Sequence, residues 1–232
     1  KQYGNGENAV YALNDVSLEI EPKEIVVILG SSGSGKSTLI SLLLQLYQPT
    51  GGKITLNGID ISEFVLREYR NMVSVVSQEI YLFNSSIRDN ICMYKNIDDK
   101  FIMEACKDSG LADFISEVSL DYVVGQNGAM LSGGQKQKIA LARALVHNSP
   151  VIIFDEATSN TDVYSEHQIN GLLHTKLKEK TVIIITHKQE ILKEADQIIM
   201  LKDGAVVGSG VYDDLSKDNL EFKNMLKMGE KY

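Results

Sequence analysis

Eight residues near the N-terminus, Gly30-Ser31-Ser32-Gly33-Ser34-Gly35-Lys36-Ser37, match the spacing G-x-x-x-x-G-K-[ST]. Glycines let a backbone turn sharply enough for several N–H groups to converge on one anion. A helix opening near Lys36 would add the positive end of its dipole. That chemistry suits a polyphosphate. Ser32, Gly33, Ser34 and Gly35 would line it, and Lys36 would neutralise the β- and γ-phosphates of ATP. Ser37 would offer its hydroxyl to Mg²⁺, and Thr38 would support the α-phosphate side. A flexible Gly/Ser linker has a similar composition, but this stretch lies between a strand-like run (Ile25–Leu29) and a helix-like one (Ser37–Tyr47).

Other residues could complete the chemistry. Val151-Ile152-Ile153-Phe154 reads as a buried strand and delivers Asp155-Glu156 at its end, where open α/β sheets bind ligands. Asp155 would hold Mg²⁺ through water, and Glu156 would polarise an attacking water. Such a pair alone as often caps a helix. Gln78 follows the strand-like run Val73–Val76, and its amide could reach the metal or the water. His187 follows Val182–Ile185 and Thr186, where an imidazole could donate to a γ-phosphate. Without context either residue would read as ordinary surface polarity. His147, His167 and His174 lack that context and read as solvated. Ser132-Gly133-Gly134-Gln135 opens a further helix, Gln135–Val146, with a good N-cap and bare backbone N–H groups. Taken alone it is a helix cap that binds nothing.

These elements must be positioned by an α/β chain. Val16, Leu18 and Ile20 alternate within Tyr11–Ile20 and predict a half-exposed strand. Pro22-Lys23-Glu24 makes a turn. Lys53–Leu56 and Ile59–Ile61 flank Asn57-Gly58, a hairpin signal. From Ser86 to His147 the pattern is mostly helical. Strands return at Val151–Phe154, Val182–Ile185, Ile198–Leu201 and Ala205–Gly208, and Val211–Tyr232 ends the chain as helices with an apolar face of Leu215, Leu220, Phe222, Met225 and Leu226.

The chain has 232 residues, enough for one large domain with a subdomain. A net charge of −8 argues against binding nucleic-acid phosphates, which need a basic face. Two cysteines, Cys92 and Cys106, give no disulfide framework and read as reduced cytosolic thiols on apolar helix faces. No apolar run approaches the roughly 20 residues of a membrane span. The chain starts at Lys1, as expected of an excised cytosolic domain whose membrane part lies upstream or on another subunit.

Taken together, the glycine loop, Gln78, Leu131–Gln135, Asp155-Glu156 and His187 resemble the ATP-binding cassette (ABC) family, over essentially the whole chain and in the family's order. The resemblance implies one nucleotide-binding domain over 1–232: an α/β phosphate-loop ATPase core with a mixed sheet (about 1–83 and 148–232), an antiparallel β subdomain, and an inserted helical subdomain (about 84–147). It implies ATP and Mg²⁺ as cofactors, ATP hydrolysis, and a head-to-tail homodimer in which Ser132, Gly133, Gly134 and Gln135 grip the γ-phosphate held on the partner's Lys36. Tyr3 matches the aromatic that stacks on adenine, with Tyr11 as the alternative. Ser159–Asp162 matches the family's D-loop at its ends only, so Asp162 is carried over and the two middle residues depart.

The stretch Ser77–Ile91 looks like the exporter branch, where it touches the coupling helices of the membrane domain. Val124–Gly128 resembles the segment before the signature, with Gln126 in place of a usual acid. The reading is therefore the motor of a bacterial ABC exporter at the cytoplasmic face of the membrane, partnered by a transmembrane domain. The Lys/Asn/Ile-rich style points to a peptide or bacteriocin cargo. A soluble ABC ATPase of DNA repair or translation is disfavoured by the acidic balance, the single cassette and the lack of a coiled-coil insertion. A non-catalytic nucleotide-binding module is disfavoured by Glu156 and His187.

Overall fold

The computed structural model describes residues 1–3, 10–155 and 163–229, with backbone alone at 3, 10, 163–168 and 227–229. Along the chain come β1 (Gln2–Tyr3), β2 (Val10–Tyr11), β3 (Ile25–Leu29), α1 (Lys36–Leu43), β4 (Thr55–Leu56), β5 (Ile59–Asp60), α2 (Leu66–Met72) and β6 (Val73–Val76). Then follow α3 (Ile87–Cys92), α4 (Asp99–Asp108), α5 (Ala112–Val118), α6 (Gly133–His147), β7 (Val151–Asp155) and α7 (Val163–His174). The chain closes with β8 (Thr181–Ile185), α8 (Gln189–Glu194), β9 (Gln197–Lys202), β10 (Ala205–Gly210), α9 (Tyr212–Asp218) and α10 (Leu220–Gly229). The residues group into two compact units, one of Lys1–Val73 with Thr181–Tyr232 and one of Ser74–Lys180.

In the first unit the strands lie in the order β10-β9-β3-β8. β3 runs parallel to both β8 and β9, and β10 pairs antiparallel with β9. The sequences IVVIL, TVIII and QIIMLK are near-continuous in β-branched and apolar residues, as strands buried on both faces require. Val26, Val27, Leu29, Val182 and Ile198 are wholly buried. Two tight turns close on an Xaa-Gly pair, the first of them the expected hairpin. Asn57-Gly58 joins β4 to β5 with φ of 50° and 80°, and Asp203-Gly204 joins β9 to β10 with φ of 48° and 78°. Positive φ at both central residues matches the right-handed twist of the flanking strands.

Two expectations fail here. The strand expected over Tyr11–Ile20 reaches only Tyr11, at the end of β2. Asp15 takes a left-handed φ of 52°, and Asn14 spends its N–H on the Gly204 carbonyl at 2.8 Å, so the backbone cannot continue a ladder. The apolar face of the final helices forms without Leu220, which is 73% exposed. Leu220 opens α10, and the two-residue step to buried Phe222 turns it to the opposite side of the helix.

In the second unit β6 and β7 are neighbours, and α3 and α4 both pack on α6. Leu82, Ile87, Ile91, Ile102, Leu111 and Ile139 form the centre of this apolar cluster. Cys92 and Cys106 are unbridged within it, on apolar helix faces as the sequence indicates. Burial pushes the Cys106 thiol up to about 11 and raises that of Cys92 too, so both are poor nucleophiles. His147 is not the solvated residue expected: it is half-buried at the end of α6, with Nδ1 3.3 Å from Lys95 Nζ. Burial first, then the charges of Lys95 and Arg143, hold its pKa below the usual histidine value.

Candidate nucleotide-binding site

In the first unit, Ile28 of β3 lies opposite Ile185 of β8 in the parallel register. Gly30 and His187 each stand two residues past that pair, so the glycine loop and the histidine leave the sheet at one edge. Packing makes the loop tight. A Cβ on Gly30 would lie 2.4 Å from Ser34 Oγ and 2.5 Å from the Leu201 carbonyl. Gly35 has φ +106°, and its Cβ would sit 2.5 Å from the Ala12 carbonyl. Inside the loop, Ser34 N–H donates to the Ser31 carbonyl at 3.1 Å, and Gly204 N–H donates to the Ser34 carbonyl at 3.2 Å.

Lys36 is only 8% exposed, and its Nζ donates to the carbonyls of Gly30 and Ser31 at 2.5 and 2.9 Å. The ammonium is thereby held within the turn of the loop. Buried Ser34 Oγ has no hydrogen-bond partner among the described residues, an acceptor-donor that an anion could engage. Ser37 is exposed and Thr38 half-buried. α1 starts at Lys36 with Gly35 as N-cap and no side-chain cap, so its first-turn N–H groups and dipole add to the positive field. Ser32 and Gly33 form the exposed outer rim, and no described residue lies within 4 Å of where a Gly33 Cβ would stand. The arrangement offers a polyphosphate backbone donors, one ammonium and a helix terminus.

In the second unit Gln78 is exposed two residues past β6, and Asp155 is half-buried at the end of β7. Ser132 caps α6. Its Oγ accepts from Gln135 N–H at 3.2 Å, while Gln135 Oε1 accepts from Ser132 N–H at 2.8 Å. This reciprocal box fixes the entry to the helix. Because Ser132 Oγ accepts in the cap, its O–H is left as a donor. Gly133 and Gly134 are exposed, and a Cβ on either would meet no described residue within 4 Å. Glycine in a helix costs about 1 kcal/mol relative to alanine, and no neighbour among the described residues explains two in succession.

Glu156 and Asp162 lie outside the described residues, and Tyr3 of β1 is described by its backbone alone, paired with Val10 of β2. Tyr11 is 57% exposed. Sequence reasoning missed Arg143, Asn90 and Asn127, which bind the backbone just after Gln78. Their bonds run to main-chain groups and leave no sequence pattern to find.

Residues 13–159 match the family model described as ABC transporter. The ATP-dependent lipid A-core flippase of Yersinia pestis is 41% identical over 208 residues, which are 88% of this chain and 36% of that protein. The ATP-dependent lipid A-core flippase of Escherichia coli strain K12 is 39% identical over 223 residues, 94% of this chain and 38% of that protein. The solved structure of a bacterial Atm1-family ABC exporter with ATP bound matches with a TM-score of 0.89 at 33% identity, over 98% of this chain and 40% of that one. The chain thus spans less than half the length of these relatives. No helix among the described residues is long and apolar enough to cross a membrane. With the glycine loop, its buried lysine and the glycine-opened α6 all in the family's order, the chain belongs to the ABC transporter family, as an ATP-binding domain.

Proposed function

We propose that this chain is the ATP-hydrolysing motor of an exporter, acting as a head-to-tail pair of copies at the cytoplasmic face of a membrane. The observation that carries the pairing is the open space at Gly133 and Gly134. A helix start whose two glycines meet nothing among the described residues is shaped for close approach from outside. A second copy's ATP, held on that copy's Lys36, is the anion that fits it. Ser132 Oγ–H and the amides of Gly133 and Gly134 would donate to the γ-phosphate.

Within one copy, Lys36 and the loop amides hold the phosphates, while Ser37 and Asp155, with Gln78, supply hard oxygen ligands suited to Mg²⁺. Glu156 orients and polarises the attacking water, and His187 donates to the γ-phosphate. Tyr3 stacks on the base, and Asp162 contributes to nucleotide binding. The membrane domain, fused or separate, docks along Ser77–Ile91. The relatives named above are called lipid A-core flippases, so the cargo class proposed here is an amphipathic lipid. The peptide or bacteriocin cargo expected from composition finds no support in them.

The test uses Glu156→Gln with ATP and Mg²⁺. Light scattering should show a mass of twice 25.7 kDa, phosphate release should fall sharply, and Gly134→Val should abolish the pair while ATP still binds. Full-rate hydrolysis by an ATP-saturated single copy, or a pair that survives Gly134→Val, refutes the reading.

A further inference from the structure

Both polar groups of one peptide bond, Tyr81–Leu82, are held by the helix that Ser132 opens. The Tyr81 carbonyl accepts from Arg143 Nη1 and Nη2, each at 3.4 Å. The Leu82 N–H donates to Asn127 Oδ1 at 3.3 Å, and the Asn127 carbonyl accepts from Lys136 Nζ at 2.9 Å. Arg143 and Lys136 both belong to α6. Arg143 Nε also donates to the Asn90 carbonyl at 2.8 Å. Asn90, wholly buried, brackets Phe83: its Oδ1 accepts from Phe83 N–H at 2.8 Å and its Nδ2 donates to the Phe83 carbonyl at 3.0 Å. Three successive residues are therefore pinned, directly or through one asparagine, to a single helix.

The helix geometry aligns these ties with the signature serine. At 100° per residue, the seven-residue step from Lys136 to Arg143 and the eleven-residue step from Ser132 to Arg143 both return to within about 20° of the same face. Ser132 and Arg143 are then roughly 16 Å apart along one stripe of α6. An α-helix transmits displacement along its axis with little internal give. At the far end of the path, the Tyr81 side chain is 64% exposed, with its ring edge-on to Phe83 at 5.4 Å, and Phe83 in turn meets exposed Tyr94 at 6.0 Å.

We propose that Arg143 and Asn127 are positioning residues that carry the engagement of Ser132 through α6 to the Tyr81–Leu82 peptide and its aromatic surface. They do not touch nucleotide. Their task is to make the exposed Tyr81–Phe83 edge move as one body with the helix whose N-terminus closes on the partner's ATP. This inference rests on the paired arrangement under Proposed function.

The chain contains no tryptophan, so Tyr81→Trp gives a single reporter at the far end of the path. In the Glu156→Gln, Tyr81→Trp protein, ATP with Mg²⁺ should form the pair and change the emission of that tryptophan. Adding Arg143→Ala or Asn127→Ala should leave the ATP concentration for pairing within about twofold, while the emission change falls by about threefold or more. Arg143→Lys, with one ammonium in place of a fork, should give an intermediate response. If Arg143→Ala does not fold, Asn127→Ala and Arg143→Lys decide the matter. An undiminished emission change in these variants, or a pair that forms with no emission change while the ties are intact, overturns the proposal. No pair at all in the starting protein refutes the arrangement itself, and this inference with it.

Discussion

Replacing Asn90 with alanine removes the side chain that holds Phe83 in place. The bonds can be sorted by what remains after they are lost. The Phe83 carbonyl keeps Ser85 N–H at 2.8 Å, and the Ser86 carbonyl keeps Asn90 N–H at 3.1 Å. The bond to Ser85 Oγ is 3.4 Å long and contributes little. Phe83 N–H is left with no acceptor in a site that was wholly enclosed around Asn90. An orphaned buried donor costs about 1–3 kcal/mol, and the two weakened carbonyl bonds add up to roughly 1 kcal/mol more. The expected loss is about 2–4 kcal/mol, or a fall in melting temperature on the order of 5–15 °C for a chain of this size. Urea unfolding followed by circular dichroism would measure it, with Ser85→Ala as a control expected to lose less than about 0.5 kcal/mol. A loss under about 1 kcal/mol for Asn90→Ala, or equal losses for the two variants, would show that water or loop relaxation satisfies Phe83 and that the bracket is not structural.

Two further outcomes follow from the same geometry. Gly35→Ala combines a φ of +106° with a Cβ 2.5 Å from the Ala12 carbonyl and 2.7 Å from Leu13 Cδ2, so it should destabilise the chain by about 2–4 kcal/mol and abolish retention on ATP-agarose; a variant that still binds ATP would mean the loop tolerates a wider turn. His147 should make stability fall as pH drops below about 6.5, because the unfolded chain takes the proton there while burial, Lys95 and Arg143 resist it in the folded one. His147→Gln should flatten that part of the pH–stability curve, and unchanged slopes would assign the acid sensitivity to other groups.

Local chemistry was legible wherever the signal and the structure share a short range. The apolar runs Ile25–Leu29 and Val182–Ile185 became β3 and β8, Asn57-Gly58 became a two-residue hairpin, and Ser132 with Gln135 became a capping box. Alternation misled at Tyr11–Ile20, because Leu18 there is 36% exposed and no strand pairs with it among the described residues. Period alone cannot tell a half-buried strand from an extended segment whose N–H groups bond elsewhere, as that of Asn14 does to Gly204. His147 misled for a related reason. Its neighbour Lys95 is 52 residues away in sequence, and burial at a helix end depends on what packs over it.

Arg143 shows why the rest was hidden. Its partner Tyr81 is 62 residues distant, and the group it binds is a carbonyl that every residue possesses. A side chain reading backbone imposes no residue type on the far side, so composition, period and motif spacing are all blind to it. The same fact sets what substitution can reveal. Changing Tyr81 leaves the carbonyl and hence the tie intact, which is why tryptophan can stand there as a reporter without cutting the path it reports on. Changing Arg143 cuts the direct tie, while Asn127, anchored by Lys136 two turns nearer the helix start, still holds the other half of the same peptide. If the two ties act in series with α6 as one rigid element, losing either should loosen the Tyr81–Leu82 peptide, and losing both should add less than the sum of the two losses. Strict additivity in the double variant would mean two independent local anchors, and the helix would then have no part in moving that edge.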